Sequence, residues 1–284
     1  MLPNALKPNL NYMVGGNGFT NSRLKELKQN PDVDVFAFGS SHTYRGFDPR
    51  IFKKHEISLF NMGSSMQTPI QIKTLIKRYI TKIAHKKVIL EVYPYPFCLD
   101  GIESAVDLIA NDRNDKHSLS MALDINNIKT YNTLIFGYLN DQFSGKSDFI
   151  ENPIFENDTY VNGGFVEKKL SYISCTSFNE MSWNYKETQF EVFEEILALL
   201  KAQNVEIILV YAPIPKVLYN AVNNQEIFHE RMETYGPYYN FNEILQLTDT
   251  LHFFDANHLN QIGVELFNEK LIEVLNGDGL LKNK

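Results

Sequence analysis

Serine, histidine and aspartate, which together can form an activated nucleophile, occur in this chain at positions where they could meet. Asp255 and His258 are three residues apart, so the carboxylate can accept a hydrogen bond from one imidazole nitrogen while the other nitrogen acts as a general base. Ser41 follows an apolar run within Gly-Ser-Ser-His at 39–42. A serine hydroxyl needs such a base because it is a weak nucleophile at neutral pH. A Ser-His-Asp arrangement follows if Ser41 lies opposite His258.

The segments around these residues predict a parallel sheet covered by helices. Short apolar runs alternate with helical patterns, which is typical of such a sheet. The predicted strands span residues 33–38, 57–62, 88–93, 205–211 and 251–254. Because ligands bind outside the carboxyl ends of parallel strands, we expect the polar segments at 39–42, 63–65 and 255–258 to meet at one site.

One elaborated domain accounts for the whole chain. Its predicted fold is α/β, a three-layer α/β/α sandwich with a mostly parallel sheet and an inserted mixed helical and β-hairpin subdomain. The insertion contains predicted helices at 104–109 and 121–139 and a hairpin that turns at Gly163-Gly164, and we expect it to act as a lid or substrate-binding subdomain. The predicted parts are an N-terminal extension (1–30), the first part of the core (31–100), the insertion (101–185) and the second part of the core (186–284).

The composition is that of an ordinary globular protein. The 284 residues carry a formal net charge of −7, which argues against nucleic acid or an anionic membrane surface as the main partner. Cys98 and Cys175 fit neither a disulfide framework nor a clustered zinc site, and the seven histidines are scattered, so we expect two unpaired thiols, no metal and no cofactor. The chain lacks an apolar run of about 18 residues and a signal-peptide core, so we expect it to be soluble as given.

Three motifs resemble the SGNH (GDSL-type) hydrolase superfamily. Gly39-Ser40-Ser41 follows the first predicted strand, Gly63 follows the second, and Asp255-x-x-His258 precedes the last helix. The wider runs Gly-Ser-Ser-His-x-x-Arg-Gly-x-Asp-Pro and Phe-Asp-Ala-Asn-His-Leu-Asn-Gln-Ile-Gly are similar to a divergent branch related to alginate- and teichoic-acid-modifying O-acyltransferases. The resemblance covers about 32–100 and 187–277 and implies a flavodoxin-like sandwich with a single catalytic domain.

The resemblance implies a role for each motif. Ser41 would be the nucleophile although Ser40 replaces the usual aspartate before it, His258 the base and Asp255 the residue that orients His258. The backbone N–H groups of Ser41 and Gly63 would form the oxyanion hole. The asparagine that often completes this hole is absent, because the third strand runs into Glu-Val-Tyr-Pro-Tyr-Pro-Phe at 91–97. Either two donors suffice, another side chain substitutes, or the activity has been lost.

The function expected from this resemblance is acyl-ester chemistry. The main expectation is an O-acetyl or O-acyltransferase that modifies a bacterial surface polysaccharide through an acyl-serine intermediate, with a carbohydrate or acyl ester as substrate and a membrane-associated acyl donor as partner. A carbohydrate esterase is the alternative, and a catalytically degenerate glycan- or protein-binding module is the third. The location would be periplasmic or at the cell surface if an N-terminal anchor precedes this sequence, and cytoplasmic otherwise.

Four further side chains are candidates for substrate binding. His42 adjoins the nucleophile and suits a structural hydrogen bond or a substrate contact. Arg45 could hold an anionic group, although an ion pair with Asp48 is the preferred interpretation. Trp183 and Tyr185 belong to an aromatic part of the insertion, where they could stack on sugar rings or pack a core. Cys98 is expected to be a small buried apolar residue rather than a nucleophile.

Overall fold

A parallel β-sheet forms the centre of the molecule. The computed structural model describes residues 12–16, 18–29, 32–143, 149–174 and 177–281. Its strands are, in chain order, β1 (Val35–Phe38), β2 (Leu59–Asn61), β3 (Lys87–Glu91), β4 (Ile154–Phe155), β5 (Asp158–Val161), β6 (Phe165–Lys168), β7 (Glu206–Tyr211) and β8 (Tyr238–Asn240). Five of them form a parallel sheet in the order β2-β1-β3-β7-β8, and β4, β5 and β6 form a separate antiparallel sheet. The parallel order is that of flavodoxin-like folds.

Helices cover both faces of the parallel sheet. They are α1 (Thr20–Lys28), α2 (Ser41–Gly46), α3 (Pro49–Lys54), α4 (Pro69–Ile83), α5 (Ile102–Asn111), α6 (Lys116–Ile125), α7 (Ile128–Phe143), α8 (Glu187–Lys201), α9 (Lys216–Ala221), α10 (Gln225–Tyr235), α11 (Phe241–Ile244), α12 (Asp249–His252) and α13 (Gln261–Gly277), with a 3₁₀ helix at Tyr95–Cys98. No helix in the described ranges is long and apolar enough to cross a membrane.

Side chains of each central strand alternate between two apolar cores. Phe36 and Phe38 of β1 share a core with α4 and α8, whereas Val35 and Ala37 share the other core with α3 and α13. Because both faces of the strand are buried, its sequence is a continuous apolar run rather than an alternating one. The predicted three-layer α/β/α fold is therefore confirmed.

Two predicted elements differ from the observed ones. The strand predicted at 251–254 is wrong, because α12 continues to His252 and Phe253 makes only a single antiparallel bridge with Leu259. The fifth strand is β8, which has three residues and is too short to give a sequence pattern. The helix predicted at 121–139 is two helices, α6 and α7, because Asn126 adopts a left-handed conformation (φ 48°) that ends α6.

The segment 101–185 contacts the core at several places. Its helices α5 and α6 pack on α4, and its hairpin β5–β6 lies beside α2. The predicted hairpin turn is present, with φ angles of 91° at Gly163 and 86° at Gly164. The carbonyl of Gly163 accepts the N–H of Asn61 at 2.8 Å, which joins the hairpin to the edge strand β2.

Candidate active site

Ser41 is the first residue of α2 and follows a two-residue turn at the end of β1. Gly39 has a φ of 148°, and a Cβ at this position would stand 2.8 Å from the Cβ of Glu91, so the turn requires glycine. The side chain of Ser40 caps α2 by accepting the N–H of His42 at 3.3 Å. This turn leaves Ser41 lining an open cleft.

Asp255 and His258 lie on a short loop whose ends are joined by backbone contacts. Phe253 and Leu259 form the bridge described above, and the N–H of Phe254 donates to the carbonyl of His258 at 3.0 Å. Within the loop, Asp255 Oδ1 accepts the N–H of Asn257 at 2.8 Å and the N–H of His258 at 2.7 Å. These two backbone N–H groups fix the orientation of the Asp255 carboxylate independently of its contact with the imidazole.

The three side chains form a continuous chain of contacts. Ser41 Oγ lies 2.7 Å from His258 Nε2, and His258 Nδ1 lies 2.9 Å from Asp255 Oδ2. A carboxylate only accepts, so Nδ1 carries the hydrogen and Nε2 presents a lone pair to the serine hydroxyl. Burial raises the pKa of Asp255, but the hydrogen bonds from the His258 ring and from the backbone N–H groups of Asn257 and His258 outweigh burial and hold that pKa below its usual range. An ionised Asp255 can stabilise a protonated His258.

Two rings hold the imidazole of His258 in position. Phe254 stacks on it at a centroid distance of 5.6 Å and an angle of 9°, and His42 stacks on it at 4.9 Å and 27°. The side chain of His258 is 16% exposed. Rotation of the ring away from Ser41 would disrupt both stacks, so the contact with the serine is well supported.

The cleft has a volume of about 530 Å³ and lies at the carboxyl ends of β1 and β3, where the strand order reverses. Arg45 and Lys168 contribute positive charge to its lining. Apolar and aromatic residues also line it, namely Tyr93, Tyr95, Phe178, Met181, Trp183 and Leu218. A second depression, of about 250 Å³ beside Tyr219, has no serine, cysteine or histidine in its lining.

Gly63 does not line this cleft. Its N–H donates to Asn61 Oδ1 at 3.0 Å, and a Cβ on Gly63 would stand 2.6 Å from the Cβ of Thr43. The resemblance implied an oxyanion role for this N–H, but in the structure it donates to an acceptor in the core. The glycine instead allows β2 to pack closely against the turn that carries Ser41.

His42 and Arg45 have protein partners. His42 is 4% exposed, and its Nε2 lies 2.9 Å from the carbonyl oxygen of Asn257, which fits the structural hydrogen bond rather than the substrate contact. Arg45 lines the cleft, but it donates two hydrogen bonds to Asp158 of the hairpin at 2.9 and 3.1 Å. The ion pair that the sequence placed between Arg45 and Asp48 is therefore formed with Asp158 instead.

Of the two aromatic candidates for substrate binding, only Trp183 lines the cleft. Its ring lies edge-on to Tyr93 at 5.6 Å. Tyr185 lies outside the cleft lining and packs against Phe190 and Phe228, with a buried hydroxyl that has no partner. The second aromatic candidate is therefore a core residue, as the alternative interpretation held.

Cys98 is the cysteine that the structure describes, and it does not line the cleft. Cys98 is a half-buried free thiol, and burial raises its pKa to about 11, so the thiolate is scarce at neutral pH. Cys175 lies outside the described residues. Within the described ranges, no group of three or more His, Cys, Asp or Glu side chains could hold a metal ion.

Several residues at the site were not predicted from the sequence. Asp158 and Lys168 reach it from the hairpin, where Lys168 Nζ lies 3.2 Å from Asp158 Oδ1. Glu91 lies buried beneath Ser40, and Tyr93 lines the cleft just beyond it. The one available signal was Glu91 itself, because a carboxylate that ends an apolar strand is unusual.

Comparison of this chain with known proteins finds a distant structural similarity and no match in sequence. No family model and no curated protein matches the chain. The crystal structure of a GDSL-like lipase from Bacteroides thetaiotaomicron VPI-5482 is similar, with a TM-score of 0.46 and 10% sequence identity, over 92% of this chain and 98% of that chain.

Proposed function

We propose that this protein is a serine acyl-ester enzyme in which Ser41 forms a covalent acyl intermediate. The observation that carries the proposal is the 2.7 Å contact between Ser41 Oγ and His258 Nε2, with Asp255 on the other imidazole nitrogen. A general base must lie within hydrogen-bond reach of the proton that it removes, at about 2.6–3.2 Å. The resemblance of the same three motifs to SGNH enzymes supports this chemistry.

In the proposed mechanism, Ser41 Oγ attacks the acyl carbonyl while its proton passes to His258 Nε2. Asp255 stabilises the resulting imidazolium. His258 then gives the proton to the leaving alcohol oxygen as the tetrahedral intermediate collapses to acyl-serine. Water or a sugar hydroxyl attacks the acyl-serine with His258 again as base, and Ser41 is regenerated.

The proposed oxyanion donors are the backbone N–H groups of Ser41 and Ser65. The Ser41 N–H belongs to the first turn of α2, where no intrahelical acceptor exists. Ser65 lines the cleft, and no described group accepts a hydrogen bond from its N–H. In this proposal Ser65 takes the role that the resemblance implied for Gly63. An oxyanion donor is typically worth about 10²–10³ in rate.

The proposed acceptor is a sugar hydroxyl of a bacterial surface polysaccharide, which would make the protein an O-acyltransferase. The cleft lining supports this choice, because the ring of Tyr95 is 36% exposed there and could pack on a sugar ring. With water as acceptor the same site would be a carbohydrate esterase, and without turnover it would be a glycan-binding module.

A fluorophosphonate probe tests the nucleophile directly. We expect the wild type to be labelled at Ser41 and Ser41→Ala to remain unlabelled, whereas Ser171→Ala, at an exposed serine, is labelled like the wild type. Labelling that persists in Ser41→Ala would overturn Ser41 as the nucleophile. A folded wild type that never reacts would leave the binding module.

Transfer and hydrolysis are separated by acceptor competition. We expect oligosaccharide acceptors to divert acetyl groups from water during turnover of a chromogenic acetyl ester, and mass spectrometry to find acetylated sugar. If the released acetate accounts for all of the ester with every acceptor tried, the protein is an esterase.

A further inference from the structure

A buried carboxylate lies directly beneath the nucleophile turn. Glu91 ends β3 and is 4% exposed. Its Oε2 accepts the N–H of Ser40 at 3.2 Å and lies 3.0 Å from Ser40 Oγ. No lysine or arginine in the described ranges forms a salt bridge with it. A buried carboxylate without a cation beside it is costly when ionised.

The contacts continue from Ser40 to the loop that carries the base. Ser40 Oγ lies 3.1 Å from His42 Nδ1, and His42 Nε2 lies 2.9 Å from the carbonyl oxygen of Asn257. Asn257 is adjacent to His258, on whose ring His42 also stacks. Glu91, Ser40 and His42 thus connect the ends of β3 and β1 to the loop at 255–258.

The hydrogens in this chain of contacts can be counted. A carbonyl oxygen only accepts, so His42 Nε2 must carry a hydrogen, and Nδ1 of the neutral ring is then an acceptor. The contacts of Ser40 Oγ with Glu91 and with His42 need one hydrogen each, but the serine hydroxyl has only one. A second proton must therefore lie on either Glu91 or His42.

We propose that Glu91, Ser40 and His42 share one proton below neutral pH, and that this proton fixes the loop at 255–258 so that His258 faces Ser41. The three are positioning residues, and the part of the proposal that concerns His258 rests on the proposed function. Burial raises the pKa of Glu91 to about 7 and lowers the pKa of His42 to about 3. Both shifts favour a neutral carboxylic acid beside a neutral imidazole, which buries no charge.

Loss of the shared proton removes one of the hydrogen bonds among Glu91, Ser40 and His42. Once Glu91 is ionised, the Ser40 hydroxyl can donate to Glu91 or to His42 but not to both, so one contact pairs two acceptors. The other titratable groups that face this chain are Tyr93, whose ring lies 4.2 Å from that of His42, and the pair Asp255 and His258. Burial raises the pKa of Tyr93 well above its usual value, so Tyr93 stays protonated in this range.

Carboxyl titration tests the shared proton without reference to activity. In ¹³C NMR of glutamate-labelled protein, we expect one side-chain carboxyl with a midpoint near 7, in line with the pKa of about 7 for Glu91, and no such signal in Glu91→Gln. The matched control is Glu230→Gln, at an exposed glutamate, which should keep the signal. A wild type whose carboxyls all titrate below pH 5 would overturn the proposal.

The pH profile tests the positioning role. We expect the rate of Ser41 acylation to fall above neutral pH in the wild type, by roughly tenfold per pH unit, and this fall to disappear in Glu91→Gln and in Ser40→Ala. Ser40→Ala removes the bridging oxygen and leaves Glu91 in place, so it serves if Glu91→Gln fails to fold. A Ser40→Ala profile with the wild-type fall would overturn the positioning role. If Ser41 never reacts, the proposed function fails while the carboxyl titration still decides the shared proton.

Discussion

At the scale of single residues, Asp255 both holds the loop at 255–258 and orients His258, and one substitution distinguishes these two roles. Its carboxylate accepts two backbone N–H groups and the imidazole N–H of His258. In Asp255→Asn the amide oxygen can keep the backbone contacts, but an amide N–H that faces Nδ1 favours the tautomer with hydrogen on Nε2. His258 then has no lone pair for Ser41, so we expect the rate of ester turnover to fall by about 10²–10⁴.

The measurement is turnover at saturating ester together with a thermal melt. We expect the melting temperature of Asp255→Asn to stay close to that of the wild type, since the loop contacts remain. Asp32→Asn is the control, because its side chain is 86% exposed and it precedes β1, whereas Ser41 follows the other end of that strand. A well-folded Asp255→Asn with the wild-type rate would remove Asp255 from the mechanism.

The sequence predicts some of the residues of the candidate site but not the contacts between others. Ser41, Asp255 and His258 could be predicted because each lies in a polar segment near the edge of an apolar pattern. The pairing of Glu91 with Ser40 and His42 could not be predicted, because it depends on which strands are neighbours. Burial of a carboxylate is likewise a property of the folded chain.

At the scale of elements, the turn between β1 and α2 decides where the nucleophile lies. Gly39→Ala places a Cβ 2.8 Å from the Cβ and the carbonyl oxygen of Glu91, at a φ of 148°. We expect a loss of about 1–3 kcal/mol in the free energy of unfolding and a slower reaction of Ser41 with the fluorophosphonate probe. The measurements are denaturant unfolding and labelling kinetics.

The matched control for this turn is Gly277→Ala, at the end of α13, where nothing lies within 4 Å of the added Cβ. We expect this variant to be as stable as the wild type or slightly more so, because alanine favours the helix. Equal effects of the two substitutions would mean that the geometry at Gly39 does not constrain Ser41.

Elements themselves were predictable to the extent that they repeat a pattern. Alternating strands and helices gave the layer order, whereas β8 has too few residues to form a pattern. In α13 the apolar residues surround much of the helix, so the pattern predicts Ile262 and Leu266 as buried, although they are 41% and 43% exposed. The buried stripe instead includes Val264 and Phe267, because packing against the sheet selects the face.

At the scale of the whole molecule, a buried ionic cluster connects the segment that follows α5 to α4 and α1. Arg78 of α4 donates to Asp112 at 2.6 Å, and the side chains of both residues are fully buried. Asp112 lies just after α5, and Lys28 at the end of α1 also contacts it, at 2.8 Å. Three separate segments therefore depend on one carboxylate, and removal of its charge leaves Arg78 with less compensation in a dry environment.

We expect Asp112→Asn to lower the free energy of unfolding by about 3–5 kcal/mol at pH 7, as is typical when one partner of a buried pair is removed. Burial raises the pKa of Asp112, but Arg78 and Lys28 outweigh it and hold that pKa below its usual range. A carboxyl with a lowered folded-state pKa stabilises the fold above its unfolded pKa of about 4, and this contribution disappears as pH falls. The difference between wild type and variant should therefore shrink on acidification in urea unfolding from pH 7 to pH 3. A difference that stays constant with pH would mean that shape rather than charge makes Asp112 important.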